Sequence, residues 1–543
     1  MTPLRIPIFR NLWLAGLLSN LGLMIQGVGA AWLMVELSGS ADMVALVQAA
    51  QMLPVMIFAL VSGAIADMYD RRKVSLLGLA VAFVAAAGLT AVAQAGALTA
   101  GTLLAFCFLI GSGMAFLWPA WAASVREQVP ARDLPSAVAL NSISYNLARS
   151  VGPAIGGAIV AGAGVVSAFA ATSVLFLPLM LVLYRWRRVQ ETPRLPREGL
   201  GRAVVSGLRY VGNSPTTRIV IVRAVLIGAT ASALLALLPL VAQGRLGGDA
   251  RTFGILLGAF GGGAVAGALG IARIRRHFGA EFIIRGSSMI LALTTAVVAL
   301  SSSMLVIGGA LLLAGAAFMV TITTFNVALQ VTAPRWVTGR ALAAFQASLA
   351  GGSAIGSWGW GLLAEATTLG SSLLISSAAL LVMPVVGLLL PLPPLPDGEA
   401  DGEIRSLAEP NVRLALTGRS GPVVLEIEYR VDPSAAREFY RLMQDVRASR
   451  QRNGGYGWTL SRDIADPLVW IETYACPTWL DYLRQRSRAT LADQELYDRA
   501  RAHTMSEVRI RRRLERPFGS VRWKDETPDD GTDTLVGSPL PGS

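Results

Sequence analysis

The first 391 residues alternate long apolar stretches with short polar links. A helix that crosses a lipid bilayer needs about 20 mostly apolar residues, and its backbone amides must all be paired inside the bilayer. Stretches of this length therefore predict membrane-spanning helices. We place twelve of them, at 11–35, 43–66, 74–95, 99–122, 137–162, 166–185, 217–243, 252–272, 282–302, 305–329, 339–364 and 371–391. Short links after the third and ninth stretches leave this count open by one.

Charged residues are scarce and unevenly placed. Only 15% of the 543 residues are charged, against about 25% in an average soluble domain. Residues 1–391 carry 25 Lys and Arg against 11 Asp and Glu, whereas residues 392–543 carry 22 against 24. The basic excess belongs to the apolar region, so no nucleic-acid partner is needed to explain it. Cysteine and histidine, with two residues each, are too few to predict a disulfide framework or a metal site.

The links between the predicted helices differ in their basic residues. Lys and Arg accumulate in loops on the cytoplasmic side of a membrane. Links on one side carry 21 of them, including eight arginines between 185 and 218, whereas links on the other side carry only Arg245 and Arg251. This split predicts an even number of spans, with both termini in the cytoplasm.

A short repeat divides the spans into two groups of six, on either side of the basic segment 186–216. The stretch "GPAIGG" at 152–157 matches "GSAIGS" at 352–357, and each lies in the fifth span of its group. A weaker match pairs "GAIADMYDRRK" at 63–73 with "GIARIRRHFG", which begins at Gly270. Two repeated six-helix halves enclose a cavity near the membrane midplane that opens alternately to each side.

The link "GAIADMYDRRK" concentrates charge between two apolar stretches. It resembles the loop between helices 2 and 3 of the major facilitator superfamily, with matches at Gly63, Asp67, Arg71 and Arg72. Its glycine would let helices approach closely, and Asp70 stands where that family has a second glycine. The resemblance implies a transporter fold in which this loop is a latch between the two halves. A plain marker of the cytoplasmic side is the alternative.

The stretch "NLARSVGPAIGG" at 146–157 contains a second motif. Glycines let helices come into close contact, and a proline bends the helix that contains it. The stretch resembles the helix-5 motif of exporters in the same superfamily, with Gly152, Pro153, Gly156 and Gly157 at the matching positions. The resemblance implies export rather than uptake, and helix packing alone is the alternative.

Polar side chains inside the spans predict a cavity. An ionisable group within a membrane is costly and is a functional candidate by default. The candidates for lining a substrate cavity are Gln26, Gln51, Asn146, Arg149 and Asn326. Asn146 and Arg149 lie near one helix face. Hydrogen bonding between helices is the alternative for some of this set, and we expect Arg223 to extend to the membrane interface.

No carboxylate lies in the middle of a predicted span. The resemblance implies coupling to protons, which needs a titrating group with alternating access. Glu36 and Asp42, near the outer ends of spans, are the candidates for that group, although both could be ordinary loop charges. The sequence contains no G-x-x-x-x-G-K-[ST] loop, so ATP hydrolysis by this chain is not expected.

The C-terminal region follows a different pattern. The stretch "PLPPLP" at 391–396 predicts a stiff linker. Strands are predicted at 423–431, 456–463, 468–475 and 507–515, and helices at 432–452 and 477–503. The order βαββαβ is that of a ferredoxin-like unit.

This region resembles the antibiotic-biosynthesis-monooxygenase and dimeric α+β barrel group, through "YGWTLSRDIADP" and "WIETYACPTWLDYL". Members of that group use a pocket under the sheet, for which Trp458, Trp470, Trp479 and His503 are candidates. The favoured alternative places the tryptophans in the core and His503 on the surface. Docking, homodimerisation and ligand sensing are expected before oxygenase chemistry.

The predicted fold is an all-α polytopic membrane protein with a cytoplasmic α+β domain. It looks most like the enterobactin-exporter branch of the superfamily, the transmembrane secretion effectors. The expected limits are 1–185 and 217–391 for the two halves, 186–216 and 392–421 for linkers, 422–516 for the sheet domain and 517–543 for a disordered tail. The resemblance implies proton-coupled export of a small organic molecule, such as a siderophore or a drug-like compound, across a bacterial inner membrane and without a cofactor. Uptake by the same fold, or a membrane-tethered oxygenase or sensor, are the alternatives.

Overall fold

The computed structural model describes residues 2–186, 200–334, 337–393, 412, 414, 416–487 and 491–515. The chain divides into two compact units. The first comprises Met1–Val204, Ile219–Leu329 and Gly339–Pro394, and the second comprises Val205–Arg218, Gln330–Thr338 and Leu395–Ser543. The tail predicted at 517–543 and most of the linker predicted at 392–421 lie outside the described residues.

Long helices dominate the chain up to residue 394. In chain order they are α1 (Pro7–Ser38), α2 (Ala41–Met68), α3 (Arg71–Gln94), α4 (Ala100–Ser124), α5 (Leu134–Arg185), α6 (Leu200–Asn213), α7 (Pro215–Ala236), α8 (Leu238–Leu240), α9 (Ala250–His277), α10 (Ala280–Leu300), α11 (Met304–Thr332), α12 (Thr338–Ala366) and α13 (Leu369–Leu389). The predicted segment 186–216 therefore contains a helix, α6, in its second part.

Ten helical stretches among the described residues are long and apolar enough to cross a membrane. Predicted spans five and six both fall in α5, whose 52 residues would extend about 78 Å as a straight helix. Gly164, with φ of 80° and ψ of 167°, breaks α5 at the corner expected between those two spans. The eleventh predicted span corresponds to α12, which is not among the ten. A count of twelve spans stays a prediction.

Polar side chains begin several of these helices. Asp70 accepts a hydrogen bond from the backbone N–H of Arg72 at the start of α3, and Thr99 and Thr102 form a reciprocal cap on α4. Asp249 caps α9 as Asp70 caps α3, by accepting a hydrogen bond from the backbone N–H of Thr252. The first backbone N–H groups of a helix have no partner within it, so these residues satisfy donors at the points where spans begin.

Apolar packing joins the helices into one body. A buried cluster within the first six predicted spans contains Leu12, Leu79 and Phe176. A second cluster extends from Ile25 on α1 to Phe260 on α9, and therefore includes residues from both predicted halves. The halves share part of their core.

The second unit contains an antiparallel sheet. Its elements after residue 420 are β1 (Val423–Arg430), α14 (Ala436–Arg452), β2 (Tyr456–Arg462), β3 (Val469–Cys476), α15 (Trp479–Ser487), α16 (Leu491–Ala502) and β4 (Arg509–Leu514). The strand order is β2-β3-β1-β4. Every second residue of β1 is buried, as its alternating sequence predicts. The helix predicted at 477–503 falls in two described helices, α15 and α16, on either side of residues 488–490.

Helix α6 packs within this second unit. The guanidinium of Arg209 donates to the carbonyl oxygen of Gly454 at 3.3 Å. Tyr210 is buried, and its hydroxyl donates to the carbonyl oxygen of Thr332 at 3.4 Å. The segment that links the two predicted halves therefore contributes side chains to the same unit as the sheet.

Candidate functional site

Two glycines of the predicted exporter motif bring α5 against α1. A Cβ atom at Gly152 would lie 2.6 Å from the Cβ of Met24, and one at Gly156 would lie 3.1 Å from the Cα of Ile25. Separations this short leave no room for a side chain, so the small residues allow the two helices to approach. The resemblance found at these positions coincides with a real packing requirement.

The C-terminal copy of the motif makes equivalent contacts. Gly352 and Gly356 on α12 face the backbone carbonyls of Val225 and Ala229 on α7, where an added Cβ would clash. Helix α7 is the first apolar helix of the C-terminal half, and α1 is the first apolar helix of the N-terminal half. Each copy of the repeat thus packs its helix against the first helix of its own half.

A third set of glycines joins α5 to α9, across the two halves. A Cβ at Gly254 would lie 2.9 Å from the Cα of Gly157 and 2.5 Å from the carbonyl oxygen of Pro153. Further along the same contact, a Cβ at Gly261 would clash with the carbonyl oxygen of Arg149. We call this line of backbone contacts between α5 and α9 the glycine seam. It runs from Gly157 and Gly254 at one end to Arg149 and Gly261 at the other.

The arginines of the predicted latch bind backbone and side-chain acceptors of the first half. The guanidinium of Arg71 donates to the carbonyl oxygen of Ala123 and to the carboxylate of Glu127, both at 2.9 Å. The Nε of Arg72 donates to the carbonyl oxygen of Leu183 at 2.9 Å. These contacts tie the α2–α3 link to the ends of α4 and α5.

Other positions of the link differ from the expectation. A Cβ at Gly63 would lie 3.6 Å from the Cβ of Ala343, an ordinary van der Waals contact, so this glycine is not required for close packing. The side chain of Asp67 lies outside the described part of the structure. Asp70, at the position of the family's second glycine, accepts the N–H of Arg72 at 2.9 Å and so begins α3 by a side-chain cap instead.

Two of the predicted cavity residues lie within the first half. Gln26 is 1% exposed, and its amide nitrogen lies 3.7 Å from the sulfur of Cys107 on α4. Its amide oxygen has no partner among the residues that the structure describes. Gln51 is half-buried on α2.

Two others lie together on α5, beside the glycine seam. The guanidinium of Arg149 lies 5.3 Å from the ring centroid of Phe260 on α9 and 5.8 Å from that of Phe318 on α11. Asn146 is 7% exposed, and its amide nitrogen donates to the carbonyl oxygen of Ser142 at 2.8 Å. These two residues therefore lie on a helix of the first half, and Arg149 contacts two helices of the second.

Asn326 makes a local hydrogen bond. Its amide nitrogen donates to the carbonyl oxygen of Ile322, one turn earlier on α11, at 3.0 Å. Bonding of this kind satisfies an amide within its own helix. Its side chain is half-buried.

Arg223 is buried against an acidic partner. It is 3% exposed, and it pairs with the carboxylate of Glu281 at 2.7 Å. The same carboxylate accepts from Arg285 at 2.8 Å. Burial of a charge requires a partner, and Glu281 lies 58 residues away on α10, so the periodicity of α7 could not reveal it. The sequence offered one hint that α10 carries an acidic partner: Glu281 lies four positions before Arg285, at the start of a span.

The two candidates for proton coupling make local contacts. Glu36 is exposed and accepts a hydrogen bond from the indole nitrogen of Trp32 at 2.8 Å. Asp42 accepts from the hydroxyl of Ser40, in the short link before α2. Neither contact crosses between the halves.

A third carboxylate in the same region does cross between the halves. Glu365, near the end of α12, accepts the backbone N–H of Ala41 at the start of α2 at 3.0 Å. One turn earlier on α12, a Cβ at Gly361 would lie 2.7 Å from the Cβ of Ala45. The partner of Glu365 lies 324 residues away in the chain, so no local pattern in the sequence could reveal this contact.

The sheet unit contains a buried ionic cluster. Glu472 is fully buried and accepts from the hydroxyl of Tyr429 at 2.9 Å, from Arg450 at 3.1 Å and from the indole of Trp458 at 3.1 Å. Burial raises the pKa of the Tyr429 hydroxyl well above its ordinary value. Burial also raises the pKa of the Cys476 thiol to about 12, so that thiol is not an activated nucleophile.

The remaining tail candidates are distributed around Phe439. The rings of Trp470 and His503 lie 5.9 and 6.4 Å from its ring. Trp479 is 4% exposed and belongs to the apolar core. His503 lies 4.0 Å from the exposed carboxylate of Glu438. The tryptophans are therefore packing residues, and His503 lies at the edge of the core.

A separate cleft of about 340 Å³ opens in the second unit. None of the predicted site residues lines it. Its lining comprises Asn213, Pro215, Asp445, Ala448, Arg452, Asp493, Glu495, Leu496 and Arg499.

Comparison with known proteins gives consistent results. The family model described as "Transmembrane secretion effector" matches residues 1–517. The multidrug efflux pump Tap of Mycolicibacterium fortuitum is 26% identical over 388 residues, which cover 69% of this chain and 94% of the pump. The staphyloferrin A transporter of Staphylococcus aureus is 23% identical over 275 residues, covering 50% of this chain and 69% of that protein.

A crystal structure of a nucleoside transporter NupG variant superposes with a TM-score of 0.60 at 12% identity, over 70% of this chain and 99% of that one. This last likeness shows a major facilitator fold for the helical region.

Proposed function

Since this chain belongs to the transmembrane secretion effector family of the major facilitator superfamily, we propose that it exports a siderophore or a drug-like compound by alternating access. The protein is a multi-pass secondary transporter that exports small molecules. The substrate class follows its relatives, a multidrug pump and a staphyloferrin transporter.

The repeated glycine contacts carry this proposal. Gly152 on α5 and Gly352 on α12 pack against the first helix of their respective halves, and the glycine seam joins the halves to each other. Two similar bodies that meet through small residues can rock about a shared line of contact, and this motion exposes a central site to each side in turn.

The proposed topology has twelve spans and cytoplasmic termini. Two additions support twelve: the break at Gly164 divides α5 into two spans, and α12 adds one more to the ten apolar stretches. The basic links support the orientation.

In this arrangement Arg71 and Arg72 hold the inner end of the first half together, and Asp67 completes the latch. Gln26, Gln51, Asn146, Arg149 and Asn326 line the cavity.

Proton coupling is proposed to act at the outer ends of α2 and α12. Asp42 lies in the first turn of α2, and Glu365, near the end of α12, accepts the N–H of Ala41 from the other half. Glu36 lies nearby in the chain, in the last turn of α1. The contact between Glu365 and Ala41 joins α12 to α2 across the two halves, so it is the place where these carboxylates can act on the movement of the halves.

The sheet unit is proposed to be a docking module rather than an oxygenase. Its tryptophans pack in the core or bind Glu472, and its thiol is held protonated. Its packing with α6 supports a role in positioning the segment between the halves.

Transport into everted membrane vesicles tests the proposal. Vesicles that contain the full chain are energised to acidify their interior, and accumulation of a fluorescent dye panel is measured with and without a protonophore. The matched variants are Gly157→Leu, whose Cβ would lie 2.5 Å from the carbonyl oxygen of Ala250, and Gly162→Leu, which has open space around it.

We expect the vesicles to accumulate dye and the protonophore to abolish this accumulation. Vesicles with Gly157→Leu at normal expression should accumulate no dye, whereas vesicles with Gly162→Leu should accumulate it as the wild type does. Loss of dye from preloaded vesicles on energisation would favour the uptake carrier. If no compound moves while the purified chain oxidises a substrate, the oxygenase alternative replaces the exporter.

A further inference from the structure

Arg149 lies in the middle of the first segment of α5. It is about halfway between Leu134, where α5 begins, and the break at Gly164. Its backbone carbonyl is part of the glycine seam, against Gly261. Its guanidinium lies over two rings of the second half, 5.3 Å from Phe260 and 5.8 Å from Phe318. A permanently charged group therefore lies within an apolar helix long enough to span a membrane, between the two halves.

This charge has no acidic partner in the described part of the chain. The guanidinium of Arg149 forms neither an ion pair nor a hydrogen bond with another described residue, and its contacts there are the two aromatic rings. A cation–π contact stabilises a cation, but it does not supply acceptors for the five N–H groups of a guanidinium. An unpaired charge in a membrane is costly and marks a functional site.

A second polar group lies one turn away. Asn146, three residues before Arg149, is 7% exposed, and its amide oxygen has no partner among the residues described. Residues three apart lie on the same face of a helix. A fork of donors and a single acceptor therefore occupy neighbouring positions beside two aromatic rings.

We propose that Arg149 binds an acid group of the exported molecule, so that the preferred cargo is an organic anion with a carboxylate and an aromatic or apolar body. The proposal rests on the export function above and names the substrate class for it. A guanidinium matches a carboxylate with two parallel hydrogen bonds. Phe260 and Phe318 pack against the body of the ligand, and the oxygen of Asn146 accepts from a donor group on it.

The position also relates binding to movement. Arg149 belongs to the first half and both rings belong to the second, so a ligand held by all three contacts both halves at once. Such a ligand has different contacts when the halves separate, and only a difference of this kind lets a ligand shift a conformational equilibrium.

Equilibrium binding by the purified full-length protein tests the proposal. The probes are carboxyfluorescein, an anion, and tetramethylrhodamine methyl ester, a cation with the same xanthene ring system, and fluorescence anisotropy gives each Kd. Competition with benzoate is compared with competition by its neutral amide, benzamide. The variants are Arg149→Gln, Arg149→Lys and, as a control that also removes one positive charge, Arg251→Gln at an exposed position.

The wild type should bind carboxyfluorescein, and benzoate should displace it whereas benzamide should not. Arg149→Gln should weaken this binding by at least about tenfold, since a charged hydrogen-bond pair is lost. Arg149→Lys should restore part of it, and Arg251→Gln should leave it unchanged. The cation should bind to Arg149→Gln at least as well as to the wild type.

Equal weakening for both dyes, or no change for carboxyfluorescein, overturns the proposal. Binding and vesicle transport of the cation alone would also overturn it while leaving the export function in place. A chain that binds neither dye, and whose Tm does not rise with benzoate, overturns it as well.

Discussion

Two arginines within membrane helices have opposite surroundings. Arg223 is 3% exposed and pairs with Glu281 at 2.7 Å. Arg149 is half-buried and lies against Phe260 and Phe318, without an acidic partner among the described residues. The comparison shows that a charge within an apolar helix is not by itself a functional residue. Its role depends on whether the protein provides the opposite charge.

The difference extends to what each arginine holds together. Glu281 accepts from Arg223, from Arg285 and from the backbone N–H of Leu392 at 3.1 Å, so one carboxylate joins α7, α10 and the end of α13. A charge network whose members are all bonded makes a region rigid. Among the residues that the structure describes, the region around Arg149 has no such network, and backbone contacts at glycines join its helices instead. We therefore assign a structural role to the first region and ligand binding to the second.

The largest effect is expected from Glu281→Gln. Removal of this charge leaves Arg223 buried and unpaired, which costs on the order of 3–5 kcal/mol of stability. The Tm of the purified protein and its yield in the membrane should both fall. Glu36→Gln, at an exposed carboxylate, is the control and should change the Tm little. If Glu281→Gln is as stable as this control, the structural role of Arg223 is wrong.

The next effect is expected in the region around Arg149, from Gly261→Ala. Its added Cβ would clash with the carbonyl oxygen of Arg149, and overpacking of this kind costs about 1–3 kcal/mol. Dye transport should fall although every charge is retained. Gly262→Ala is the matched control, since its Cβ would lie 3.6 Å from the hydroxyl of Ser150. Equal activity of the two variants would mean that the glycine seam does not position Arg149.

The link between α2 and α3 provides a second pair of arginines, Arg71 and Arg72, to compare with the two arginines within membrane helices. Asp67→Asn should reduce transport severalfold at normal expression, because the family motif places a carboxylate there. Asp70→Gly should be tolerated, since a glycine in place of a capping aspartate costs only about a few tenths of a kcal/mol. Transport rates per amount of protein in the membrane measure both. Equal loss from both substitutions would show that the family motif is the wrong guide to this link.

The smallest effect separates the two regions by their aromatic rings. Arg149 lies over Phe318, and Arg223 lies 5.7 Å from the centroid of Phe325. Loss of one cation–π contact costs about 0.5–1 kcal/mol. Phe318→Leu should weaken carboxyfluorescein binding a few-fold without changing the Tm, whereas Phe325→Leu should lower the Tm without changing that Kd. The reverse pattern would exchange the roles assigned to the two arginines.

Much of the architecture follows from local patterns in the sequence. Apolar stretches of sufficient length predicted α1 to α4 within a few residues, apart from the first turns of α1, because a span must pair its backbone internally. Alternation predicted the buried face of β1. The repeated glycines predicted helix contacts before any partner helix was known, because a run of small residues in an apolar helix has few other uses.

Other features depended on residues far apart in the chain. The partner of Arg223 is 58 residues away and that of Glu365 is 324 residues away, so neither pair leaves a periodic signal. A Cβ would fit at Gly63, beside Ala343, whereas at Gly261, which no motif marked, a Cβ would clash with the carbonyl oxygen of Arg149. Neighbouring residues decide whether a segment is a helix and how apolar it is. Only the packing of helices decides which charges meet an opposite charge: among the described residues, Arg223 meets Glu281, whereas Arg149 meets two aromatic rings.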